Sequence, residues 1–268
     1  MTAGLTGPHP PAMSDNMRRL LSSVALVLAA AVVVPPLFGL ARRYEFVEAG
    51  QFSVYAMVVP ALLVLGAPWE GFGRARADRH SRGGRVSLWV DRLASRRRLH
   101  PSLALSTLIL AAYMAAVVAW RTPAAVAALR LHPGLIALEA ASLVVVGVAF
   151  WLELVESGRL VPRPRRPFRA VMAAVAMWTV WTIAYLGGFS STTWYTGFSH
   201  FAGHGLSAAA DQQFSTGVCW FVAALAFMPV VFWNLLAWLR SEDDLDVALY
   251  MHVAEVGGTP RGHGPVSS

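Results

Sequence analysis

Residues 134–154, GLIALEAASLVVVGVAFWLEL, form an apolar run broken only by Glu139, about a turn and a half from its start, and Glu153 near its end. A helix over this run rises about 30 Å, the thickness of a bilayer's hydrocarbon core. It is apolar on every side, so water is the wrong solvent for it. Working outward, five comparable runs lie at Leu20–Ala41, Phe52–Ala67, Ser102–Trp120, Phe168–Gly187 and Gly217–Leu239. Phe52–Ala67 is short, and it spans only if its helix begins a turn or more earlier, near Phe46 or Glu48. With 56% hydrophobic residues and 10 Trp in 268 residues, the chain has the composition of an integral membrane protein. The expected fold is all-α, a polytopic transmembrane helix bundle of about six spans.

The charges set the orientation. All 22 basic residues are arginine. With six spans, Arg18 and Arg19, the nine from Arg74 to Arg98, the five from Arg159 to Arg169, Arg240 and Arg261 fall on one side, and Arg42, Arg43, Arg121 and Arg130 on the other. Arginine accumulates on the cytoplasmic side, so both termini are expected in the cytoplasm of a bacterial cell, with the loop from Gly188 to Thr216 outside. The formal charge of +7 is thereby a topology signal and not a nucleic-acid footprint, since no aromatic-interleaved RNA motif accompanies it. The lipid bilayer is the expected partner.

Three regions follow: a flexible N-terminal tail over residues 1–17, the bundle over 18–240, and a cytoplasmic tail over 241–268. The first apolar run is too long for a signal-peptide core and lacks a clean cleavage site, so it is expected to stay as a span or anchor. Pro35 and Pro36 should kink or end its helix, because proline has no N–H to give and crowds the preceding turn. A short amphipathic helix is expected from about Glu242 to Val256. The pair Gly83–Gly84, among arginines, is expected to break the second loop.

The single Cys219 excludes an intrachain disulfide and any cysteine-based zinc or iron–sulfur site. It is expected to pack as a small hydrophobe. The alanine-rich stretch Ala111–Ala119 and the pair Ala173–Ala174 should let helices approach closely.

Candidate chemistry gathers on the arginine-poor side. His200 and His204 stand four apart, a spacing that puts both imidazoles on one face of a helical turn, and Asp211 supplies a third donor; His132 lies on the same side. Such a set suits Cu(II) or Zn(II). Trp194 and Tyr195 are expected at the headgroup level as belt residues. Glu139 lies inside a span, where a carboxylate must pair or face a wet cavity; it is a functional candidate or a structural hydrogen bond to a neighbouring helix, and Arg121 is a candidate partner if the loops fold inward. Glu153 and Glu156, near Arg159, are expected to be structural. No phosphate-cradling glycine loop, nucleophile elbow or HExxH is present, so no enzyme is expected.

Four stretches in order carry a family likeness: MVVPALLVLGAP (residues 57–68), WRTPAAVAALRLHP (120–133), ALEAASLVVVGVAFW (137–151) and DQQFSTGVCW (211–220). Together they resemble the CtaG-like cytochrome c oxidase assembly factors, the Asp211-Gln212-Gln213 sequence before the final span being the most specific piece. The resemblance implies a polytopic protein, often of seven spans. It also implies a role in maturing copper-containing heme–copper oxidases through copper handling, with oxidase subunits as partners.

The departures are specific. The family pattern carries histidines where this chain has Glu48 and Phe52, Arg121, and Ile136 and Ala140; of the motif's polar residues, Glu139, Asp211, Gln212 and Gln213 remain. Phenylalanine, isoleucine and alanine offer no ligand. Two expectations follow: an assembly factor with any copper held at His200, His204 and Asp211, or a metal-free structural or accessory subunit of a respiratory complex that keeps the fold.

Overall fold

In a computed structural model, residues 13–31, 34–70, 82–99, 102–198 and 205–257 are described. They form nine helices: α1 (Asp15–Ala31), α2 (Leu37–Ala41), α3 (Glu45–Gly66), α4 (Arg82–Leu99), α5 (Leu103–Trp120), α6 (Pro123–Leu131), α7 (Leu135–Leu154), α8 (Arg166–Gly188) and α9 (Ala208–Gly257). Five of them, α3, α5, α7, α8 and the Ala208–Glu242 part of α9, are long and apolar enough to cross a membrane. The chain is thus an all-α membrane bundle. The first apolar run is not one uninterrupted helix: α1 has 17 residues, rising about 26 Å, and α2 follows as a separate element after Pro35 and Pro36. The tail expected over residues 1–17 gives up Asp15, Asn16 and Met17 to the first turn of α1.

The short second run finds its length as the physics requires, by starting at Glu45. Within α3, Val54–Val58 form a π-helical turn. Its cause lies in Pro60, which has no N–H to return to the carbonyl of Ala56. That carbonyl is satisfied from outside, by the Tyr113 hydroxyl of α5 at 3.2 Å. Gly147 of α7 passes directly over the proline. A methyl group placed there would lie 2.6 Å from Pro60 Cγ and 2.9 Å from its Cβ. The absence of a side chain at Gly147 is what lets α3 and α7 touch.

The core runs along this contact. Tyr113 and Phe150 stack at 4.4 Å, Trp151 and Phe227 at 5.5 Å, with Met57, Leu143 and Met172 fully buried around them. α8 and α9 pack along most of their spans, α9 also covers α3, and α1 leans on α3, where the Tyr55 hydroxyl donates to the Ala29 carbonyl at 3.1 Å. Of the expected pair, Ala173 is buried at a helix contact and Ala174 is half-buried, with Ala176 buried one turn on, but Ala111, Ala112, Ala115 and Ala119 of α5 are exposed. The alanine-rich face of α5 is turned away from the bundle. Large apolar side chains such as Leu108, Val145, Trp178, Phe232 and Trp233 are likewise exposed, the arrangement of a protein whose solvent is lipid.

At the arginine-rich end, Glu153 is fully buried and held by three donors: Arg97 at 2.9 Å, Arg163 at 2.5 Å and the Ser106 hydroxyl at 2.9 Å. Arg97 also donates to the Leu152 carbonyl at 2.9 Å. Burial pushes the Arg97 pKa down, and the Glu153 charge opposes that. Glu153 is structural, as its position suggested. Arg159 pairs with Glu70 and Asp91, and Arg169 lies 3.9 Å from Glu156. Two expectations for this side change. Gly83 and Gly84 sit in the first turn of α4, so half of the second loop is helical. The helix expected over residues 242–256 is continuous with the last span.

Candidate functional site

Five helices bring their ends together on the arginine-poor side: the starts of α3, α7 and α9 and the ends of α5 and α8. Each contributes a polar group. Asp211, in the first turn of α9, accepts hydrogen bonds from the backbone N–H groups of Glu45 (2.8 Å) and Phe46 (3.0 Å), one to each carboxylate oxygen. These are the open N–H groups of the first turn of α3, so Asp211 caps a neighbouring helix across 166 residues of sequence. Gln212 ties the end of α8: its amide donates to the Gly187 carbonyl at 2.6 Å, and its carbonyl accepts from the Trp194 N–H at 2.8 Å. Gln213 is exposed.

Arg121 stands at the centre. It follows α5, is buried, and pairs with Glu48 of α3 at 2.5 Å. Its second nitrogen reaches the Ser215 hydroxyl at 3.4 Å. The guanidinium is sandwiched by aromatic rings, Phe52 at 5.3 Å and Tyr195 at 5.0 Å from their centroids. Burial is the largest single influence and works against its charge, but the charge and hydrogen bond of Glu48, together with Cys219 and Tyr195, hold the Arg121 pKa above its ordinary value. The expected pairing of Arg121 with Glu139 is therefore corrected to Glu48. Glu139 is buried nearby, within electrostatic reach of Arg121 and Glu48, and its Oε1 has no hydrogen-bond partner among the described residues. Tyr195 is corrected as well. It is buried, its hydroxyl donates to the Arg121 carbonyl at 2.8 Å, and desolvation pushes its pKa up to about 12, so it belongs to this cluster and not to an interfacial belt.

A cavity of about 20 Å³ lies between Glu45, Arg121, Gln212 and Cys219, room for roughly one water molecule. Cys219 is buried and contacts the Ser53 hydroxyl at 3.8 Å. His132 ends α6, while His200 and His204 lie outside the described residues. Sequence reasoning missed Glu45, Ser215 and the Glu48–Arg121 pair. Their signal was a surplus of carboxylates at the start of one span facing a single arginine at the end of another.

With this geometry in view, comparison with known proteins is decisive at one level. A family model for the cytochrome c oxidase caa3 assembly factor matches residues 11–241. The chain belongs to the caa3 assembly factor family. No curated protein and no solved structure matches it. As an assembly factor of this family, it presents at three of the five positions where the family resemblance places histidines a salt bridge and the ring beneath it: Glu48, Arg121 and Phe52. A copper ion does not fit there. Its nearest carboxylate is taken by a guanidinium that would also repel it, and among the described residues no three His, Cys, Asp or Glu side chains converge.

Proposed function

We propose that this assembly factor serves a heme–copper oxidase as a metal-free accessory partner, using the bundle as a docking scaffold without carrying copper in it. The observation that carries the reading is the buried Glu48–Arg121 pair over Phe52, which supplies from the chain itself the positive charge that a metal would bring. Two of the remaining motif residues have a structural use here: Asp211 caps α3 and Gln212 anchors α8. The role is non-catalytic in this reading, since the buried arginine is held in an ion pair and the cavity beside it has room for about one water and none for a substrate. The chain sits in the bacterial cytoplasmic membrane with both termini cytoplasmic, an orientation that takes α1, packed beside α3, as a sixth crossing and is supported by the 18 arginines on one side and four on the other.

Purification of the full chain from native membranes tests this. Oxidase subunits are expected to come with it, and copper to stay well below one ion per chain after dialysis. One copper per chain that survives dialysis would overturn the metal-free reading, and absence of every oxidase subunit would overturn the partner.

A further inference from the structure

On the arginine-poor side only four arginines exist, and one, Arg121, is neutralised within the bundle. The other three meet. Arg42 and Arg43 from the end of α2 and Arg130 from the last turn of α6 line a single open cavity of about 630 Å³, a volume typical of ligand sites. Its remaining walls come from Phe38, Gly39, Ala127, Leu131, Thr196 and Gly197, with no carboxylate among them. The guanidinium groups of Arg42 and Arg130 are held by contacts. Arg42 donates to the Arg130 carbonyl at 3.0 Å and lies 6.0 Å from the Phe38 ring centroid, and Arg130 lies over the Phe198 ring at 4.5 Å. Gly197 makes the last placement possible, because a Cβ there would collide with Arg130 Nη1.

Desolvation and the neighbouring Arg42 charge both push the Arg130 pKa down. A concavity whose described walls carry three positive side chains and no negative one focuses a field that draws anions. The depth says which kind. Arg42 and Arg43 stand just before the span that begins at Glu45, Leu131 in the cavity wall is 74% exposed, and Leu37 and Leu40 of α2 are exposed as well, which sets the cavity beside the end of a span among apolar side chains. Phosphate at that depth belongs to lipid headgroups, and planar guanidinium groups bind its oxygens two at a time.

We infer that the cavity formed by Arg42, Arg43 and Arg130 is a binding site for the phosphate of an anionic phospholipid, whose acyl chains lie along the leucine rim. The site is independent of any role in oxidase assembly.

Native mass spectrometry of the full-length protein in detergent, with phosphatidylglycerol or phosphatidylcholine added, tests the inference. Phosphatidylglycerol is expected to be retained in preference to phosphatidylcholine, and an Arg42→Gln, Arg43→Gln double variant to weaken its retention by about thirtyfold, near fivefold for each arginine. Gly197→Ala, which keeps all three charges but displaces Arg130, should weaken it by a smaller factor. Equal retention of phosphatidylglycerol by the parent and both variants would overturn the site. Saturation by millimolar inorganic phosphate with no preference between the two lipids would overturn the lipid assignment in favour of a free anion.

Discussion

At the scale of single residues, Glu48 and Arg121 balance each other's charge inside the bundle. Arg121→Met leaves the Glu48 carboxylate alone in an apolar bundle and is expected to cost about 3–5 kcal/mol, the usual penalty for breaking a buried ion pair. A Glu48→Met, Arg121→Met double variant removes both charges and should recover most of that loss. Thermal unfolding in detergent measures both; a double variant less stable than the single would show that the two residues do not act as a pair. Glu139 behaves differently, because a buried oxygen without a partner adds desolvation cost and no compensating bond. Glu139→Leu is therefore expected to leave the melting temperature unchanged or raised while lowering the yield of assembled oxidase. A fall in both together would assign Glu139 a folding role. For copper, titration with Cu(II) is expected to show at most one weak site that disappears in a His200→Ala, His204→Ala variant. Ligation needs neutral imidazole, so this binding should fade as the pH falls through about 6.5. The sequence exposed Glu139 as a charge inside a span and Asp211 as a loop donor and motif residue, but it could not show what either one meets. Glu48 was visible only as a missing histidine, and nothing local joins it to Arg121, 73 residues away.

At the scale of elements, five of the six expected spans were legible because each is a one-dimensional property, a count of apolar residues against the thickness of a bilayer. The early start of α3 was legible for the same reason. What could not be read was two-dimensional: which face of α5 turns outward, and that Gly147 must lie on Pro60. Gly147→Ala is expected to destabilise the bundle by about 1–3 kcal/mol, since the proline ring it meets is rigid and lies within 3 Å. Gly217→Ala is the control, at a position in α9 with nothing within 4 Å. It should be neutral or stabilising by up to about 1 kcal/mol, the helix propensity difference. Equal effects from the two substitutions, in the same unfolding assay, would remove Gly147 from the α3–α7 contact.

At the scale of the whole molecule, the bundle has a sorted polarity: a Glu153 network under the arginine-rich loops and an Arg121 network at the opposite end. Reporter fusions at Ser268 and near Gly205 are expected to give opposite signals, cytoplasmic for the first and external for the second. Matching signals would refute the orientation drawn from arginine counts. The π turn in α3 lies between these two ends, and it works as a gear tooth. It holds one residue more than an α-helical turn, so Glu45, Glu48 and Phe52 are rotated by about 100° relative to where an unbroken α-helix continuing back from Gly66 would set them. The chemistry of the arginine-poor end is thereby indexed to a single inserted residue. Substitutions can change what α3 presents to Arg121, but loss of one residue between Val54 and Val58 would turn the whole set toward another neighbour at once, with the remaining span still in place.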